Sequence, residues 1–249
     1  MKGHKLLLFC FFILITGSEQ SCKKKLNNSP ANYKLATIDL THSTSVAHYC
    51  IVYDAYNNVD SMIIIGGGTD TGHTDTRIFN YFGGSYTVSD QNGNSITVQT
   101  STNGLILGVF MFADTLTMVY NGTQVGKVDT KVPSSVYPYY AKTDTNYLWN
   151  NGDMVSISFN AGADSCDYNL SKAGQIGDAF RIDAFLAYGR PYIKTSHTPI
   201  DLKKSGVWLE KYFYQFDGQG RITEFVKVRN NNGVVADDST FYVYQYYAF

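Results

Sequence analysis

The stretch FDGQGRITEF, residues 216–225, can be laid position by position on YDAYNNVDSM, residues 53–62. Each runs aromatic, Asp, a turn, and then apolar residues three apart: Ile222 and Phe225 in one, Val59 and Met62 in the other. A turn one residue shorter recurs in YNGTQVGKV (120–128) and WNNGDMVSI (149–157), and VSDQNGNSI (88–96) is a looser copy. Asn-Gly and Asp-Gly pairs supply the positive φ that tight hairpins require, so each copy reads as strand, turn, strand. Spacings of roughly 30 residues between successive copies suit one hairpin and its return.

Composition points the same way. Twenty tyrosines and fifteen phenylalanines stand against three glutamates, one of them Glu19 near the N-terminus. Abundant aromatics with scarce Glu favour strands over helices. The gap in the repeat, 165–211, is the exception. There Asp178 is placed to cap a helix through Phe180, Ile182, Phe185 and Leu186, ended by Gly189 and Pro191. The last strand, TFYVYQYY (240–247), is apolar or aromatic on both faces, which is expected of a strand covered on both sides. The pattern predicts an all-β fold: an antiparallel β-meander of repeated hairpins forming a curved sheet, with one short helix near 178–188. One domain, 35–249, accounts for it.

The N-terminus, MKGHKLLLFCFFILITGSEQSCKKK, has a basic start at Lys2 and Lys5 and an apolar run from Leu6 to Ile15. That run is shorter than the 20 or so residues a membrane-spanning helix needs, so 1–21 reads as a secretory signal. Cys22 follows the small-residue segment directly, and "SCKK" resembles the lipoprotein signals common in Bacteroidota, in which that cysteine is acylated. Residues 22–34 then read as the lipidated cysteine and a flexible tether, about 20 Å in reach. The hairpins at Tyr53-Asp54, Trp149 to Asp153 and Phe216 to Gly220 resemble those of tyrosine-aspartate (YD, RHS-like) repeat proteins. The order of parts is similar to a family of Bacteroidota envelope lipoproteins with a β-meander domain of unknown function. That resemblance rests on Tyr147-Leu148-Trp149 with Gly152, the 176–188 segment, and Tyr214-Gln215-Phe216-Asp217 with Gly220 and Ile222. It implies a membrane partner through the N-terminal lipid and carries no catalytic residue.

Particular residues carry the signatures of several chemistries. Asp70-Thr71-Gly72 matches the aspartic-protease tripeptide, but no second Asp-Thr-Gly supplies the partner carboxylate. Asp70, His73 and Asp75 have metal-binding residue types, yet in a glycine-rich loop they read as solvated; no metal and no cofactor is expected. Glu210 and Glu224 flank the last hairpin, and a glycosidase would need them about 5–9 Å apart. His48 reads as a strand residue with a satisfied hydrogen bond. Cys50 and Cys166 are the candidate disulfide pair in an oxidising periplasm. Tyr137, Tyr139 and Tyr140 beside Pro138 are the candidate aromatic binding surface. A net charge of −1 excludes a nucleic-acid partner.

These readings predict a lipid-anchored, non-enzymatic structural or binding module of the cell envelope, engaging a glycan or an envelope protein. The alternative is a periplasmic carrier of an apolar ligand in the concavity of the sheet, and an envelope hydrolase ranks last. Lys23-Lys24-Lys25 occupies the window where surface-exported lipoproteins are expected to be acidic. The expected location is therefore the outer membrane, facing the periplasm.

Overall fold

The computed structural model describes residues 34–68, 72–111, 114–133, 140–159, 162–231 and 234–247. Among these are sixteen strands and one helix. The strands are β1 Leu35–His42, β2 Ser45–Tyr53, β3 Val59–Gly68, β4 Thr74–Phe82, β5 Ser85–Ser89, β6 Ser95–Thr100, β7 Ile106–Met111 and β8 Asp114–Asn121. They continue as β9 Gln124–Pro133, β10 Tyr140–Asn150, β11 Asp153–Phe159, β12 Gly162–Ala173, β13 His197–Lys204, β14 Val207–Phe216, β15 Ile222–Asn231 and β16 Val234–Tyr246. The helix, α1, is Ala179–Tyr188, between β12 and β13.

The local chemistry of the turns explains the repeat. Asp54 Oδ1 accepts from the N–H groups of Tyr56 and Asn58, each at 2.8 Å. Asp217 does the same with Gln219 and Arg221, and Asp90 with Asn92 and Asn94, all at 2.9 Å. In each, the third residue after the Asp has positive φ: Asn57, Gly93 and Gly220. A fourth turn of this kind runs from Ser101 to Leu105, with a serine hydroxyl in place of the carboxylate and Gly104 at the positive-φ position. The repeated Asp is thus a turn-former whose side chain substitutes for missing backbone partners. The Asn121–Gln124 and Asn150–Asp153 pairs instead close two-residue turns.

Each strand pairs antiparallel with its sequence neighbours, and β1 also pairs with β16. Ile38 lies opposite Tyr244, Leu40 opposite Tyr242 and His42 opposite Thr240. The curved, open sheet expected from the sequence is therefore corrected to a closed sixteen-strand barrel. The hairpins are those the turns predicted. The last strand is not covered on both faces as expected: it is the seam, with Tyr242 and Tyr244 buried inward and Phe241 and Val243 exposed outward. Closure pairs β1 with Thr240–Tyr246 of β16, so the sheet has no free edge there.

The helix occupies the predicted segment. Asp178 caps it, accepting from Phe180 and Arg181, and Gly189 ends it at φ 68°. It lies inside the barrel. The Tyr244 hydroxyl donates to the Gly177 carbonyl (3.0 Å) from one wall, and the Tyr86 hydroxyl donates to the Tyr188 carbonyl (2.5 Å) from another. Gln175 ties the helix start to the 217–221 turn through Gly220 and Ile222, and Arg190 ties its end to Asn58 in the 54–58 turn. Both turns cap the same end of the barrel, so α1 and its flanks close that mouth.

Inward side chains form the core. They include Ile38, Ile51, Met62, Phe79, Tyr86, Val98, Met118, Met154 and Phe225, packed around Ile182 and Phe185 of the helix. Rings line up along β14–β16: Tyr214 stacks on Phe225 at 5.0 Å between centroids, and Phe225 stacks on Tyr242 at 5.0 Å. The outward positions are mixed: Phe213, Phe241 and Val243 are exposed on β14 and β16, while other outward pairs are polar. Thr87 pairs with Thr97, Ser156 with Ser165, and Asp201 with Lys211. Lys127 and Asp129 form a 2.7 Å ion pair opposite the exposed Val119 and Thr117. Among the described residues no helix is long and apolar enough to cross a membrane.

Candidate functional site: a charged cavity in the barrel lumen

Charged groups interrupt the apolar lumen, and four of them gather around one cavity. On β15 the side chains of Phe225, Lys227 and Arg229 share the inner face, because alternate residues of a strand point the same way. Lys227 is buried and reaches Asp183 of α1, with Nζ 3.2 Å from Oδ2. The Tyr242 hydroxyl donates to the other oxygen of Asp183 at 3.3 Å. Arg229 Nε donates to Glu210 Oε1 at 3.0 Å, and the Tyr212 hydroxyl donates to Glu210 Oε2 at 2.7 Å. These two ion pairs line a cavity of about 340 Å³ between α1 and the β13–β15 wall, with Phe180 and Tyr212 as its apolar surfaces. Burial, and then the neighbouring carboxylate, pushes the Tyr212 and Tyr242 phenols far above their ordinary range. Both hydroxyls are thereby fixed as donors to the carboxylates.

The helix that presents Asp183 is held firmly. Asp178 is fully buried, accepts a third backbone bond from Gln175 (3.0 Å) and pairs with Arg181. Burial pushes its carboxyl upward, against the pull of Arg181. Arg181 in turn donates to the Thr195 carbonyl and hydroxyl. Packing of this kind fixes the position of Asp183 relative to the wall.

A second concavity, of about 740 Å³, is lined by Asp153, Cys166, Tyr168 and His197 among others. His197 Nδ1 lies 2.7 Å from Asp153 Oδ2, and the His197 backbone N–H donates to Oδ1 at 2.8 Å. Cys166 is a free, buried thiol, so the Cys50–Cys166 disulfide is corrected. The reason is topological: Cys166 faces the lumen with Leu202 as its register partner, whereas Cys50 lies opposite Thr37 on the other face of the wall. Burial and then Asp164, Asp201 and Asp167 push the Cys166 thiol up to about 12. A thiol held protonated in this way is no nucleophile, despite the nearby histidine–carboxylate pair.

The other candidates are distributed as follows. Cys22, Asp70, Tyr137 and Tyr139 lie outside the described residues, as does the side chain of Tyr140. His73 is exposed, and Asp75 accepts from Thr76. Among the described residues no three His, Cys, Asp or Glu side chains converge on one metal position. Glu210 faces the lumen, whereas Glu224 faces outward opposite Gln215 and Val243, so the two carboxylates do not form a pair. His48 bonds Asp39 at 2.5 Å across β1 and β2, as a strand histidine should. Sequence reading missed Asp183, Lys227 and Arg229. The signal was present in the alternation F-V-K-V-R (225–229), but it identifies inward charges only once Phe225 is known to face a core.

No protein-family model matches the sequence, and neither does any curated protein. Solved structures do match. A porin-like protein from Bacteroides uniformis superposes with a TM-score of 0.62 at 13% identity, over 86% of this chain and 98% of that one. A porin-like protein from Bacteroides vulgatus gives 0.58 at 13% identity, over 88% of this chain and all of the other. At that identity the likeness is one of fold: this chain has the closed antiparallel barrel of those proteins.

Proposed function

We propose that this chain is a non-enzymatic protein of the cell envelope, a barrel that works as a binding module outside the bilayer rather than as a channel through it. One observation carries the reading: the lumen is filled, by aromatic side chains and α1, where a sixteen-strand porin keeps an aqueous channel. The outer wall is mixed, with exposed apolar side chains such as Ile78, Leu148, Phe213 and Phe241 set among charges such as Lys127, Asp129, Lys203 and Lys211. Each of those charges would cost about 2–4 kcal/mol at the middle of a membrane if Lys, and less if Asp, and nothing in water. Those charges fit a periplasmic setting, with attachment supplied by acylation of Cys22 and a tether over 22–34. The Bacteroides origin of the fold neighbours and the lipoprotein-like start point to the same envelope, and Lys23–Lys25 favours the periplasmic side of the outer membrane. The charged cavity favours a polar cargo over the apolar ligand of a carrier.

The test is Cys22→Ser in the full-length protein. The variant is expected in the soluble periplasmic fraction, folded, while the wild type stays with membranes. Retention of the variant in membranes after a high-salt wash would show an embedded barrel and end this reading. Digestion of the wild type by protease added to intact cells would place it on the surface instead.

A further inference from the structure

We infer that the lumen cavity between α1 and β13–β15 is a binding site for a small zwitterion, an α-amino acid or short peptide. The inference rests on the reading of the barrel as a binding module. Lys227 is more than nine-tenths buried, yet among the described residues its ammonium has a single hydrogen bond, the 3.2 Å contact to Asp183. An ammonium carries three N–H donors, and burying them without acceptors is costly. Water or a ligand carboxylate in the adjoining cavity satisfies them. Asp183 is the opposite case: its side chain is 60% exposed, held by Lys227 and Tyr242 on one side and open on the other. A ligand ammonium therefore has an acceptor close to where a ligand carboxylate has a donor.

Charge balance selects between ligand classes. Lys227 and Arg229 offset Asp183 and Glu210, so the cavity is neutral before anything binds. A simple anion or cation would leave one side of the half-enclosed space without a counter-charge. A molecule carrying both charges preserves neutrality and engages both sides. Phe180, Tyr188 and Tyr212 supply surface for its apolar portion, and about 340 Å³ lies at the small end of the range of ligand pockets.

The experiment is calorimetric titration of the full-length protein in detergent with phenylalanine and alanylalanine, beside phenylacetate and phenethylamine, which each carry one of the two charges. Either zwitterion should bind saturably and more tightly than both single-charge analogues. Lys227→Met should weaken it by about tenfold or more, the effect of losing a charge-assisted hydrogen bond. Should Lys227→Met fail to fold by circular dichroism, Asp183→Asn carries the test, with the same loss expected for zwitterions and none for phenylacetate. No saturable binding of either zwitterion, equal affinity for phenylacetate, or variants that bind as the wild type does would each overturn the inference. If zwitterions fail while Cys22→Ser protein is still soluble and folded, the site assignment falls and the binding-module reading stands.

Discussion

The two faces of β15 differ in how they are packed. Inward, Phe225 sits fully buried between Tyr214 and Tyr242, with Lys227 and Arg229 beyond it. Outward, Glu224, Val226 and Val228 lie opposite Val243, Phe241 and Ser239 on a wall where Phe213 and Phe241 are half exposed. One strand, read every second residue, carries a packed inner face and an unpacked outer one. The lesson is that strand number alone does not fix what a barrel encloses: this one, with the fold of porin-like proteins, fills its lumen with side chains and a helix.

The contrast can be broken most completely with alkali. Burial raises the phenols of the lumen, Tyr81 and Tyr120 to about 12 and Tyr53, Tyr86 and Tyr147 further still. Folding holds these groups protonated, whereas the unfolded chain releases their protons near pH 10. Their contribution to stability is thus fully present below about pH 10 and is lost as pH rises through 12. Tyrosinate absorbance is expected to appear together with loss of the far-ultraviolet β signal in one cooperative step. Gradual titration with the fold intact would mean that the lumen is wet.

Two phenylalanines sharpen the same comparison. Phe225→Ala should cost about 3–5 kcal/mol, as for other large core truncations. Phe213→Ala, on the outer wall of the adjacent strand, should cost less than about 1 kcal/mol. Urea midpoints of the two variants in the Cys22→Ser background measure both. Equal losses, or the reverse order, would contradict a packed lumen behind an unpacked outer wall.

The smallest expected effect lies in the turns. Asp217→Ala removes the acceptor for two backbone N–H groups and the 2.6 Å contact with Arg221, and should cost about 1–2 kcal/mol by analogy with helix caps. Asp90→Ala, in a turn of the same geometry with Asn94 in the place of Arg221, should cost less. A loss for Asp90→Ala equal to that of Asp217→Ala would show that the bonds to the backbone alone set the effect, independent of the charged partner.

How much was legible follows from the range of the interactions involved. The Asp of the repeat, the Asn-Gly turns and the Asp178–Gly189 helix all depend on partners within a few residues, so the sequence reveals them directly. The seam does not. Tyr242 and Tyr244 are inward whether or not β1 arrives beside them, and the alternation of β16 is the same in an open sheet and in a closed one. Only the tertiary structure brings Leu40 opposite Tyr242 across two hundred residues of chain. The same holds for the cavity. Lys227 and Asp183 are ordinary surface charges when read along the chain, and they meet, with Lys227 buried, because α1 folds back into the lumen. The sequence by itself determined where the chain turns and which strand positions alternate, since backbone sterics and short-range hydrogen bonds act locally. The closed barrel, the inward direction of its apolar face and the meeting of four charges were decided by the tertiary structure, because burial depends on what the rest of the chain places alongside.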